Sequence, residues 1–284
     1  MVPLEQVALP PVMRLSHGRR SVVVGLLDGP VAVHHPALAG ESLQVMAAKG
    51  SCVRANDAAC AHGTFMAGIL AARRGGAAPG ICPGCTLLVR PIFTESAAVG
   101  WQPPTATPRQ LAAAIVECVD AGARVLNISA GMAQPSTRLE PQLSEALGYA
   151  ARHGAIAVTA SGNQGTLGST AITRHQWVVP VVAFGLDGQP TASSNLGSSM
   201  GRHGLGAPGE RVTSLSPSDE PVVQSGTSVA TAFVTGAIAL LWSLFPHASA
   251  AEIKRAVSRV EQPRNSVAPP LLHAWAAYQM LSAG

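Results

Sequence analysis

The sequence predicts an α/β fold with a central, mostly parallel sheet and helices on both of its faces. Three observations carry that prediction. Apolar runs of strand length alternate with helical stretches from residue 21 to about residue 184, joined by connections of a few residues. The runs are continuously apolar, as strands buried on both faces are. The composition can bury a large core: 47% of the 284 residues are hydrophobic and 12% are charged. Aromatics make up only 4%, so that core is built from Ala, Val, Leu and Ile. No linker or repeat divides the chain, which reads as an N-terminal arm at 1–20, polar and Pro-containing and lying on the surface, followed by one domain at 21–284.

The elements follow in order. Ser21 to Leu27 is an apolar strand that ends on the turn signal Asp28-Gly29-Pro30. Asp28 therefore sits at the carboxyl end of a central strand, where open α/β sheets place their sites. Residues 31–61 are loop-rich, with one short strand near Leu43 to Ala47. Phe65 to Ala72 reads as a helix with His62 at its N-terminus. Thr86–Arg90 is a strand, Gln110–Ala121 a helix and Arg124–Ser129 a strand. Gln142–His153 is a helix closed by Gly154. Ala155–Thr159 and Trp177–Phe184 are strands. A polar turn, Gln224-Ser225-Gly226-Thr227, runs into an apolar helix that continues through Trp242, with Ser228 where the turn becomes helix. Ser249 and Glu252 form a capping box for a helix to about Val260, and a last helix covers about Leu271 to Leu281.

Charge and cysteine usage narrow the function. The net charge is +4, almost all of it scattered arginine, since Lys49 and Lys254 are the only lysines. No basic run with interleaved aromatics exists, which speaks against nucleic-acid binding. The most apolar stretch, Phe233 to Phe245, is short and interrupted, so no membrane partner is expected. The N-terminus does not resemble a signal peptide, and the expected location is cytoplasmic. Cys82-Pro-Gly-Cys85 has C-x-x-C spacing, but no second pair or matching histidine supports zinc. Local pairs Cys52–Cys60 and Cys82–Cys85 are open to the spacing, and a cytosolic setting argues against them. Cys118 falls on the buried face of its helix.

Three polar residues stand out. Taken singly, Asp28 is a turn former, His62 a helix cap and Ser228 an N-cap. Taken together they meet a chemical requirement. A serine nucleophile needs a base to take its proton, and that base needs a carboxylate to fix its tautomer and stabilise the imidazolium. At a helix start, Ser228 also lies beside free N–H groups and the positive end of the helix dipole, which can hold an oxyanion.

With Leu27-Asp28-Gly29, His62-Gly63-Thr64 with Met66-Ala67-Gly68, and Gly226-Thr227-Ser228-Val229-Ala230, the chain resembles the subtilisin-like serine proteases. The resemblance runs from about Val22 to the last helix and implies the three-layer subtilisin-like fold. The Asp…His…Ser order is the known order of subtilisin itself. The resemblance assigns Asn163, in Ser161-Gly162-Asn163, to the oxyanion hole, and Ser129, Ala130 and Gly131 to the strand edge that binds an extended substrate. It departs from the family where Gly29-Pro30 follows the Asp and where Ala232 replaces a proline. Arg73 to Ala78 offers no carboxylate for the family's calcium loop, and the expected mechanism needs no metal or organic cofactor.

Asp28-Gly29-Pro30-Val31, the Cys82…Phe93 segment and the Ser228 motif resemble the proteases of cyanobactin-type peptide maturation. That branch implies a precursor peptide as partner and substrate. Ring-closing members carry an insertion near the catalytic His. Here Asp28 and His62 are 34 positions apart (62 − 28), which leaves little room for one. The expectation is hydrolytic leader removal by a serine endopeptidase. The alternatives are a general subtilase, a macrocyclase and an inactive peptide-binding module.

Overall fold

The computed structural model describes residues 3–38, 42–46, 51–55, 57–93, 106–129, 139–218, 220–258 and 265–283. Its strands are β1 (Val23–Asp28), β2 (Leu43–Val45), β3 (Thr86–Pro91), β4 (Ala123–Ile128), β5 (Ile156–Ala160), β6 (Val179–Phe184) and β7 (Leu205–Pro208), with β8 (Val212–Ser214) and β9 (Val222–Gln224). The first seven form one sheet in the order β2-β3-β1-β4-β5-β6-β7, every pairing parallel, while β8 and β9 make an antiparallel hairpin. The helices are α1 (Pro3–Gln6), α2 (Leu9–Leu15), α3 (Ala58–Ala71), α4 (Pro108–Asp120), α5 (Pro141–Arg152), α6 (Ser198–His203), α7 (Thr227–Leu244), α8 (Ala250–Ser258) and α9 (Ala274–Ser282).

Two cores lie on the two faces of the sheet, as continuous apolar strands require. Val24 and Leu26 of β1, Val125 of β4 and Val158 of β5 pack on the side of α3 and α7. Leu27, Leu126, Ile128 and Ala157 point the other way, against α4 and α5. The alternation is the period of two of a strand, with apolar residues at both phases. Helix α7 is apolar all round because it is buried all round. By length and composition it could cross a membrane, but 94% of it is inside the fold.

The sheet places the site. Chain order reverses between β1 and β4, so their carboxyl ends border a crevice. Asp28 ends β1, Ser129 follows β4, and the Ser161-Gly162-Asn163 turn follows β5.

Several expectations are corrected. The first residues do not lie on the surface as an arm. Val7, Leu9, Val12 and Met13 are buried in the larger core, and α2 packs on α7 and α9. Pro10 and Pro11 mislead because they fall in the first turn of α2, where N–H groups have no helical partner to lose. The helix carrying His62 begins earlier than read, at Ala58. Asp57 caps it, accepting from the N–H of Ala59 (2.8 Å) and Cys60 (3.3 Å). Against the expected reduced state, Cys52 and Cys60 form a disulfide, while Cys82, Cys85 and Cys118 are free and buried. Between residues 185 and 224, α6, β7, β8 and β9 went unread. The edge strand Leu205-Gly-Ala-Pro208 lacks the β-branched run that marks a strand.

Candidate active site

Asp28 is fully buried at the end of β1, and its Oδ1 lies 2.7 Å from His62 Nδ1. The same oxygen accepts the Gly29 N–H at 2.6 Å. An Nδ1–H donated to the carboxylate leaves the Nε2 lone pair free in the neutral ring, which is the tautomer a general base needs. The side chain is a quarter exposed. Burial by itself pushes the His62 pKa down. The charge of Asp28 and its hydrogen bond outweigh that effect, and the net direction is up.

His62 sits in the second turn of α3, and the approach of α3 to β1 is tight. A Cβ at Gly29 would stand 1.9 Å from the Ala59 carbonyl oxygen. Glycine after Asp28 is therefore imposed by packing, and it supplies no side-chain hydroxyl. Asp28 Oδ2 is correspondingly buried with no hydrogen-bond partner among the described residues.

Ser228 is the second residue of α7 and 7% exposed. Its Oγ donates to the Ser129 carbonyl at 3.3 Å. The first helical bond of α7 runs from Ala230 N–H to Gly226 O (3.3 Å), so the Ser228 N–H lies ahead of the helical ladder. Asn163, exposed on the turn after β5, is anchored through its oxygen. Asn163 Oδ1 accepts from Thr227 N–H (2.8 Å) and Thr227 Oγ (3.0 Å). Fixing the oxygen of a planar amide fixes its Nδ2 edge. That nitrogen lies 3.3 Å from the position of a Cβ on Gly226, beside the start of α7. Asp28 with His62, Ser228 with Ser129, and Asn163 with the first residue of α7 thus all lie at the carboxyl ends of β1, β4 and β5. Ala130 and Gly131 lie outside the described residues.

Sequence reading missed the bracing. Buried Asn195 accepts from the N–H groups of Gln164 (3.0 Å) and Thr166 (3.1 Å) and donates to Ser161 O (3.2 Å). It thereby holds the turn that carries Asn163. Gly162, at φ 108°, is required there, since a Cβ would fall 2.3 Å from Asn195 Nδ2. Asn195 lies in Thr191-Ala-Ser-Ser-Asn195, which looks like any polar turn. Thr227 was visible only as part of the Gly-Thr-Ser motif. No group of three His, Cys, Asp or Glu among the described residues is arranged to hold a metal ion.

The subtilase family model matches residues 19–267, which span every element of this site. The chain belongs to the subtilase family. Among solved structures, a subtilase-fold protease domain, that of PatA, superposes with a TM-score of 0.85 at 29% identity, covering 94% of this chain and 97% of that one. The prenylagaramide maturation protease PagA gives 0.84 at 25% identity over 97% and 98%. Fervidolysin of Fervidobacterium pennivorans is 27% identical over 264 residues, 83% of this chain. The subtilase chain spans 36% of fervidolysin's length, and 53% or less of two further curated relatives. The all-parallel seven-stranded sheet and the two-sided core are the subtilisin-like fold that the motifs implied.

Proposed function

We propose that this chain is a serine endopeptidase that removes the leader from a ribosomally made precursor peptide. The observation that carries the reading is the 2.7 Å contact of buried Asp28 with His62, together with a serine at a helix start. Ser228 attacks the scissile carbonyl while His62 Nε2 takes its proton, and Asp28 holds the ring and stabilises the imidazolium. For this the Ser228 hydroxyl turns from the Ser129 carbonyl toward His62. The Ser228 N–H and Asn163 Nδ2 take the developing oxyanion. His62 returns the proton to the leaving amine, and water then attacks the acyl-enzyme. Ser129, which follows β4, begins the segment assigned to pairing with an extended substrate.

The choice of a precursor peptide leans on the likeness to PatA and PagA, whose names describe peptide maturation proteases. Hydrolysis is favoured over ring closure by the short interval between Asp28 and His62. Its 34 positions (62 − 28) must already hold a 3₁₀ turn at Pro36–Leu38, β2 and the first turn of α3. The Cys52–Cys60 disulfide, a bond favoured in oxidising compartments, argues against the expected cytoplasmic setting.

The test is mass spectrometry of products from a precursor-peptide library, with Ser228→Ala beside the unaltered protein. Linear fragments cut at one residue type, absent in Ser228→Ala, are the expected result. Turnover retained in Ser228→Ala would sink the reading. Products lighter by one water than the linear fragment would replace hydrolysis with ring closure, and equal cutting of unfolded casein would mark a general subtilase.

A further inference from the structure

Beneath the site, three hydrogen bonds link α7 to β4 in a closed circuit. Ser228 Oγ donates to Ser129 O at 3.3 Å. Asn127 Nδ2 donates to Ser129 Oγ at 3.1 Å, and Thr235 Oγ donates to Asn127 Oδ1 at 2.9 Å. The helix itself closes the circuit, because Ser228 and Thr235 are seven residues apart and share one face two turns apart. Asn127 and Thr235 are fully buried, and Ser129 is 7% exposed.

The surroundings make this circuit informative. Val125 and Val158 on the sheet, and Ala232, Ile238 and Ala239 on α7, form an apolar seam. Small apolar side chains leave the sliding position of a helix on a sheet weakly defined. A buried amide and hydroxyl define it sharply, since losing either partner leaves the other desolvated and unpaired. We propose that Asn127 and Thr235 are positioning residues for the nucleophile. They fix the depth at which α7 presents Ser228 against β4, and so the place of its oxygen and N–H in the oxyanion site. Neither residue touches substrate; Asn127 acts through Ser129 and Thr235 through the helix. The inference rests on the reading of Ser228 as nucleophile.

Thr235→Val keeps the shape and removes the donor, and Thr235→Ser keeps the donor. The readouts are the second-order rate of Ser228 labelling by a fluorophosphonate probe, and kcat and KM on a cleaved peptide. Urea midpoints on the same samples correct for the folded fraction. Thr235→Val is expected to lower the probe rate and kcat together by about tenfold to a hundredfold, the scale of a small misplacement of reacting atoms, with KM changed by less than about twofold. Thr235→Ser is expected to restore most of both. A lower urea midpoint with unaltered rates for the folded fraction would mean a purely structural pair and overturn the proposal. If Thr235→Val does not fold, Ser129→Ala reads the circuit from its other end. A slower probe reaction there supports the proposal, and an unaltered one overturns it. Failure of the nucleophile reading looks different, because the unaltered protein is then either unlabelled or labelled no faster than Ser228→Ala.

Discussion

In the proposed mechanism, Asp28 and His62 set the pH range of the chemistry. The base works only when neutral, and its pKa is raised in the folded protein. We therefore expect kcat/KM to rise with pH through a pKa above the ordinary histidine value of about 6.5. A profile that rises below that value would contradict the pairing. The stability contribution has the opposite sign. A raised folded pKa stabilises fully below the unfolded value and is lost as pH rises through the folded one, so the pair is most useful to the fold where it is least useful to catalysis. Asn163 makes a second expectation at this scale. Asn163→Ala should lower kcat by roughly 10²–10³ with little change in KM, a range that comes from subtilisin itself. Loss in KM alone would assign Asn163 to ground-state binding. Gly29→Ala forces a Cβ to within 1.9 Å of a backbone oxygen, so either α3 or β1 must move. The expected result is a loss of more than about 2 kcal/mol in urea unfolding, together with a drop in kcat as His62 shifts.

Helix α3 shows how a local signal decides the placing of the proposed base, His62. Asp57 caps its first turn, and Cys60, in that turn, is tied to Cys52. His62 then falls in the second turn, where its ring reaches back to Asp28. Asp57→Ala should cost about 1 kcal/mol, read as a lower urea midpoint, through loss of the cap. Helix α7 combines two roles in one length. Its first turn presents Ser228 and an N–H outside the ladder, and its next four turns are buried core. The Gly-Thr-Ser motif and the long apolar run made that element legible in the sequence. The start of α3 was not legible, because Asp57-Ala-Ala-Cys60 resembles the end of a loop, and helix propensity alone does not separate a cap from a turn.

At the scale of the molecule, the N-terminal helix α2 belongs to the core. Arg74 donates to the carbonyls of Met13 and Ser16 (2.9 Å) at the end of α2, and Gly84 N–H donates to His17 O at 2.7 Å. Removing residues 1–15 should therefore lower the thermal midpoint markedly, since it strips Leu9, Val12 and Met13 from α7 and α9. An unchanged midpoint would return the segment to the status of an arm. Two other histidines are expected to weaken the fold in acid. His175 and His203 both have lowered pKa values, burial being the main cause for each and Lys254 adding to it. A lowered folded pKa costs stability as pH falls from the ordinary histidine value through the folded one. The urea midpoint should thus decline on acidification below about pH 6.5. His203→Gln should flatten that decline.

The sequence by itself determined the fold class, most strands to within a residue or two, and the three residues that carry the proposed chemistry. Short continuous apolar runs bounded by turn residues suit strands buried on both faces, and Asp28, His62 and Ser228 each sit in a short motif with its own turn chemistry. What only the tertiary structure decided are relations between distant segments. Burial of α2 depends on the surface that α7 and α9 leave open. The Cys52–Cys60 bond depends on where the loop after β1 returns. The bracing of Asn163 by Asn195 and Thr227, and of Ser228 through Ser129, Asn127 and Thr235, joins residues that are 32 (195 − 163), 64 and 108 positions apart at the extremes. Such contacts leave no local pattern, because a buried polar side chain is acceptable only where another segment supplies its partner, and that partner is fixed by packing rather than by its neighbours in the chain.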